Sequence, residues 1–250
     1  MSKGPTWLYF PEWLTADIWH FPFACEKFSR YVPPGSRVLE VGFGSGRILS
    51  KVAFDSESSC TGVDVNDGAF KSLAYFAKQQ GVEVASVKGD GFCLPFRDGS
   101  FDVVYSEGVI EHFPIWKSQM LLEEHVRVCR RGGIVIVSVP NRFALVHSLT
   151  KRLLGDRFLF SPESSLSTFQ LAGMMSRVGV DIVKRDGFAF GCQFYMFQEF
   201  FMEKTSREVL KRITRAILKQ MRKTKLYHFE NPRLNSLFGF QTMVIGRRSA

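Results

Sequence analysis

The sequence predicts an α/β fold on a mostly parallel sheet, and three observations carry that expectation. Across residues 36–141, short β-branched apolar runs alternate with amphipathic stretches of helical length, the rhythm of βαβ units. A glycine-rich loop at residues 42–46 joins the first apolar run to a helical pattern. The 250 residues are 45% hydrophobic and 23% charged, enough to bury a sizeable core, which excludes a disordered chain, a collagen or a coiled coil.

Strands are expected at residues 37–41, 61–65, 84–88, 101–105 and 133–139, with helices at 69–80 and 117–130. Gly81 and the group Arg131, Gly132, Gly133 supply helix stops. Beyond Pro140 the rhythm breaks. Residues 141–167 read as irregular, 168–177 as a helix, 180–185 as a sixth strand, 231–234 as a turn and 240–246 as a closing seventh strand. With no internal repeat and no low-complexity linker, one domain over 1–250 is expected. Its core would be 36–142, with 143–170 and 187–235 forming a cover and a basic helix.

Charge is unevenly placed. Residues 1–202 balance 21 Lys and Arg against 21 Asp and Glu, whereas 203–250 hold 12 against 3, so the net charge of +9 belongs to the C-terminal end. Within 204–225, nine basic residues accompany one acid, Glu208, and Val209, Ile213, Ile217 and Met221 recur every four residues. Packing on the domain explains the apolar stripe but not the charge, which suits an anionic membrane first and RNA second. Just before it, residues 187–201 carry six Phe.

The five cysteines, Cys25, Cys60, Cys93, Cys129 and Cys192, are odd in number, scattered and never in a CxxC pair, the pattern of reduced thiols rather than of structural zinc. No run approaches the length of a membrane-spanning helix, and the first ten residues lack a signal-peptide pattern. A cytoplasmic protein is expected, with peripheral contact at a membrane surface.

The chemistry concentrates in VLEVGFGSGRIL, residues 38–49. Glycines after a strand let the chain turn sharply and bring bare N–H groups up to a ligand at a helix N-terminus. The spacing is GxGxG, and Arg47 stands where a dinucleotide-binding GxGxxG loop would carry its third glycine. Asp64, in TGVDV, lies at the end of the second strand, where a carboxylate can accept both hydroxyls of a ribose. Two further segments follow at strand ends, GDGFCLPF at 89–96 and FDVVYSEGVIEHF at 101–113. An acid at a strand end is also a common cap, so neither Asp64 nor Asp90 alone marks a site. Four motifs in register do.

These residues resemble class I S-adenosylmethionine-dependent methyltransferases, of the methyltransferase-11-like small-molecule type. Glu40-Val41-Gly42-Phe43-Gly44-Ser45-Gly46 is similar to the family's first motif, and the resemblance extends over 36–142. It implies a Rossmann-like seven-stranded sheet sandwiched by helices, with an inserted aromatic-rich acceptor cover, and S-adenosyl-L-methionine as cofactor. The implied cofactor residues are Glu40, Gly42, Phe43, Gly44, Gly46, Asp64, Val65, Asp90, Gly91, Phe92 and Glu107. Asp90 matches the acid that accepts from the adenine amino group, and Phe92 could lie against the purine. The rival, a dinucleotide oxidoreductase, is disfavoured by the glycine spacing and by acids at two successive strand ends.

A sulfonium is an activated methyl donor, so the protein has mainly to position a nucleophile. Candidate catalytic groups near the methyl are Glu107, Glu111 and His112, the first two one turn apart if a helix starts there. His112 serves equally well as a packing residue, and no metal site is expected because no further ligands have suitable spacing. After the fourth strand stands Ser106-Glu107-Gly108-Val109, not the Asn/Asp-Pro-Pro-aromatic motif of enzymes that methylate nucleic-acid bases. With the Phe-rich run, this favours a small hydrophobic or lipid-like acceptor, methylated at oxygen or carbon rather than nitrogen. RNA- or protein-directed transfer, or a non-catalytic cofactor-binding protein recruited through its basic end, is the alternative.

Overall fold

The computed structural model describes residues 21–154, 163–191, 220 and 231–250. In chain order the elements are α1 (Phe21–Tyr31), β1 (Arg37–Val41), α2 (Arg47–Ser56), β2 (Ser59–Asp64), α3 (Asp67–Gln80), β3 (Ala85–Lys88) and β4 (Phe101–Glu107). A 3₁₀ turn (Ile110–His112) leads to α4 (Ile115–Val128), β5 (Cys129–Pro140), α5 (Leu145–Leu154), α6 (Thr168–Arg177), β6 (Val180–Phe188), α7 (Pro232–Phe238) and β7 (Gln241–Arg248).

The strands form one seven-stranded sheet in the order β3-β2-β1-β4-β5-β7-β6. The first five pair in parallel, and β7 runs antiparallel to both β5 and β6. The order reverses at β1 and β4, which opens a crevice at their C-terminal ends, the usual ligand position in such sheets.

Alternation along the strands sorts side chains into two cores. Val38, Val103 and Ile136 face one way, onto Phe28 of α1 and Leu49 and Val52 of α2. Leu39, Val104 and Val135 face the other, onto Leu121 and Leu122 of α4 and Leu171 and Met175 of α6. Both faces are thus covered, as a parallel sheet requires. Each such buried Leu, Val or Phe contributes about 1.5 to 3 kcal/mol of transfer free energy.

Local signals placed several elements. The Asn66 side chain caps α3 by accepting the Gly68 N–H, and Gly81 ends it in the left-handed conformation. Ser167 and Gln170 form a reciprocal capping box at the start of α6. Elsewhere tertiary contacts overrule the local reading. Helix α4 stops at Val128, and the Arg131 to Gly133 group expected to end it lies inside β5. The stretch expected to be irregular contains α5, whose buried His147 and Thr150 define an inward face hidden from simple apolar periodicity. The expected turn at 231–234 is instead the N-terminus of α7, capped by Asn231 with Pro232 at its first turn. The basic segment at 204–225, apart from position 220, and most of the Phe-rich run lie outside the described residues.

Candidate functional site

A cavity of about 380 Å³ opens at the ends of β1, β2, β3 and β4, where the sheet order reverses. Its floor is the glycine loop. Gly42, Gly44 and Gly46 all take positive φ, at 72°, 50° and 74°, a conformation costly for any residue with a Cβ. The Gly42 N–H donates to the Val63 carbonyl at 2.8 Å and the Gly46 N–H to that of Phe43 at 2.7 Å, which closes the loop over β2.

Glu40, Gly42, Phe43, Gly44, Asp64, Val65, Asp90, Gly91, Phe92 and Glu107 all line this cavity. Gly46 does not: a Cβ there would stand 2.8 Å from the Leu73 Cα, so this glycine lets α2 and α3 approach. Arg47, in the place of a dinucleotide loop's third glycine, stacks on Phe76 with its guanidinium 4.5 Å from the ring centroid.

Asp64 is buried at the end of β2, where its Oδ2 accepts the Gly44 N–H and its Oδ1 the Asn66 N–H, each at 2.8 Å. Burial raises its pKa, opposed by the amides of Asn66, Gly44 and Val65. A carboxylate offers about four acceptor positions, so beside these three amides about one remains for a ligand's hydroxyl. Glu40, fully buried, accepts the Tyr105 hydroxyl at 3.0 Å from the neighbouring strand. Burial drives its pKa well up, the Tyr105 bond opposes this, and the charges of Glu107 and Asp64 add to the rise. The exposed Asp90 accepts the Phe92 N–H at 3.0 Å, and the Phe92 ring meets Phe113 edge-on at 5.0 Å.

The catalytic candidates share the far wall. Glu107 ends β4, Gly108 turns at φ 70°, and the 3₁₀ turn carries Glu111 and His112, so Glu107 and Glu111 do not share an α-helix as the spacing suggested. The turn is pinned by the Ser118 hydroxyl, which donates to the Ile110 carbonyl at 2.8 Å. Glu111 is buried, and its Oε2 has no hydrogen-bond partner among the described residues. Burial, then the charges of Glu163 and Glu107, hold its pKa well above the usual carboxylate range. Burial thus favours the protonated form of this carboxyl, which has a hydrogen to donate.

Residues that the sequence did not single out complete the wall: Val109, Phe113, Leu121, Pro140, Glu163, Phe240 and Gln241. Glu163 is bound by His147, whose Nε2 stands 2.7 Å from its Oε1, and by Lys151 at 3.3 Å. No local pattern marks it, because those partners lie 16 and 12 residues earlier. Phe240 and Gln241 reach the site only because β7 inserts beside β5. Among the described residues no group of His, Cys, Asp and Glu could hold a metal ion. None of their helices is long and apolar enough to cross a membrane.

The donor set suits S-adenosylmethionine, with Asp64 facing a polyhydroxylated group, apolar rings for a base and a glycine floor that lets a ligand lie against the backbone. Bound there, that cofactor supplies an activated methyl group.

Residues 39–137 match the family model described as a methyltransferase domain. The chain is 25% identical to an uncharacterized protein of Methanocaldococcus jannaschii over 175 residues, 70% of this chain and 78% of that one. It is 31% identical over 105 residues to the sterol 24-C-methyltransferase of Yarrowia lipolytica, 41% of this chain but only 27% of that enzyme. In three dimensions it superposes on a Haemonchus contortus phosphoethanolamine N-methyltransferase, solved with phosphomonomethylethanolamine and S-adenosylhomocysteine. There the TM-score is 0.61 at 18% identity, over 97% of this chain and 57% of that one. That likeness establishes a shared fold. With the family match on the segment that builds the cavity floor, residues 39–137 form a methyltransferase domain of the class I S-adenosylmethionine-dependent type, with S-adenosylmethionine as cofactor.

Proposed function

We propose that the protein moves a methyl group from S-adenosylmethionine to a hydrophobic small-molecule or lipid-like acceptor, at oxygen or carbon rather than nitrogen. The observation that carries this reading is the cavity lining beyond the implied cofactor residues, where Val109, Phe113, Leu121 and Phe240 are all apolar. Such a wall gains free energy by desolvating apolar groups and has little to offer a phosphodiester. A sterol enzyme among the relatives is in keeping with it. The basic segment at 204–225 suits peripheral contact with an anionic membrane, where a lipid-like acceptor would reside.

The test is to supply the protein and methyl-labelled S-adenosylmethionine to a cell extract fractionated into organic-soluble, aqueous, RNA and protein pools. Label in the organic-soluble pool is expected. Label confined to RNA or protein would move the acceptor to a macromolecule, and label in no pool would leave a cofactor-binding protein without turnover.

A further inference from the structure

We propose that Glu163, held in place by His147 and Lys151, is the residue that selects the acceptor by taking a hydrogen bond from an acceptor hydroxyl. The proposal deepens the hydrophobic-acceptor reading and rests on it. Helix α5 presents His147 and Lys151 four residues apart, hence on one face. Their nitrogens converge on one oxygen: His147 Nε2 is 2.7 Å and Lys151 Nζ 3.3 Å from Glu163 Oε1. Lys151 also donates to the Glu163 backbone carbonyl. Side chain and backbone of Glu163 are thus both tethered, both side-chain contacts fall on Oε1, and the residue lines the cavity.

The adjoining chain is fastened to the turn that carries Glu111. The Ser164 N–H donates to the Glu111 carbonyl at 2.7 Å, so Glu111 and Glu163 are held as neighbours. Glu111 brings the second independent sign of a ligand, a side chain only 1% exposed whose Oε2 has no partner among the described residues. A buried polar atom in that state persists at a standing cost that a ligand hydrogen bond removes. Glu163 offers an acceptor and Glu111 a donor or acceptor, the complement of a hydroxyl, which both donates and accepts.

Charge decides between a hydroxyl and an ammonium. Lys151 already pairs with Glu163, so an ammonium would give up its hydration there without an unpaired carboxylate to replace it, whereas a neutral hydroxyl has less hydration to lose. An anionic acceptor would face the carboxylates of Glu107 and Glu163 together. A neutral hydroxyl on an apolar body is the class that fits both the wall and its polar end.

The experiment measures binding to the full-length protein loaded with S-adenosylhomocysteine, so that no transfer occurs. The probes are 4-pentylphenol, pentylbenzene and 4-pentylbenzylammonium, and the proteins are wild type, Glu163→Leu, Glu163→Gln and Lys151→Met. Wild type is expected to bind the phenol about tenfold or more tighter than the hydrocarbon and tighter than the ammonium. In Glu163→Leu that preference should fall to within about twofold, with pentylbenzene affinity retained. Glu163→Gln should fall between. Lys151→Met should shift preference from phenol toward ammonium, a change that a purely structural role would not produce. Affinity for S-adenosylhomocysteine serves as the control for folding in every variant. A hydrocarbon bound as tightly as the phenol, an ammonium preferred by wild type, or an unchanged preference in Glu163→Leu and Glu163→Gln would each overturn the assignment of Glu163. Failure of pentylbenzene and the phenol alike to bind wild type would instead overturn the hydrophobic-acceptor reading, and this proposal with it.

Discussion

Asp64 Oδ2 accepts the Gly44 N–H at 2.8 Å, so the acid that ends β2 also fastens the glycine loop that follows β1. One side chain therefore shapes the cofactor floor and presents an acceptor position to the ligand. Asp64→Ala should weaken S-adenosylmethionine binding by about 1.5 to 3 kcal/mol, the scale of hydrogen bonds to a charged group. It should also lower stability, because the Gly44 and Asn66 amides lose their acceptor. Titration calorimetry beside urea denaturation separates the two effects, and wild-type affinity in this variant would show that the ribose does not bind at Asp64.

Two glycines of one loop should fail differently. Gly44 lines the cavity with φ 50°, so Gly44→Val should abolish cofactor binding through its bulk and its strained backbone. Gly46 stands behind the wall, where a Cβ would press on Leu73, including its backbone. Gly46→Ala should destabilise by about 1 to 3 kcal/mol through overpacking between α2 and α3. Thermal unfolding with and without S-adenosylhomocysteine distinguishes a lost site from a lost fold.

Glu40 and Tyr105 are register partners on β1 and β4, joined by a 3.0 Å hydrogen bond inside the core. Tyr105→Phe leaves the carboxyl buried without that donor and should cost about 1 to 3 kcal/mol, with the Glu40 pKa rising further. Urea denaturation at neutral pH tests this. A midpoint equal to wild type would mean that water or a shift of Glu40 replaces the phenol.

His125 is buried on α4, with its Nδ1 2.7 Å from the Leu121 carbonyl. Burial lowers its pKa from the ordinary 6.5 to about 4, so the unfolded chain binds the proton more readily than the folded one. Stability from the neutral ring is thus fully present above about pH 6.5 and is lost as pH falls through 4, by roughly 3 kcal/mol. His125→Leu should flatten the acid limb of a stability profile taken between pH 7.5 and 4. An unchanged acid slope would assign it to other groups.

What the sequence determined by itself was everything carried by short-range pattern. Strands β1, β4 and β5 of the parallel half follow from β-branched runs that must be buried on both faces, and α3 and α6 from caps written within four residues. The glycine floor, Asp64, Asp90 and Glu107 were legible because strand-end positions in a parallel sheet converge on one edge whatever the side-chain packing. Tertiary structure alone decided the rest. Helix α5 escaped notice because its inward face is polar, His147 and Thr150 in place of Leu or Val. Gly46 sits at the end of the motif but packs α2 on α3, a role set by where Leu73 falls rather than by glycine spacing. Glu163 becomes a site residue only when α5 folds back to place His147 and Lys151 on it, since a buried carboxylate needs partners that no local pattern can supply.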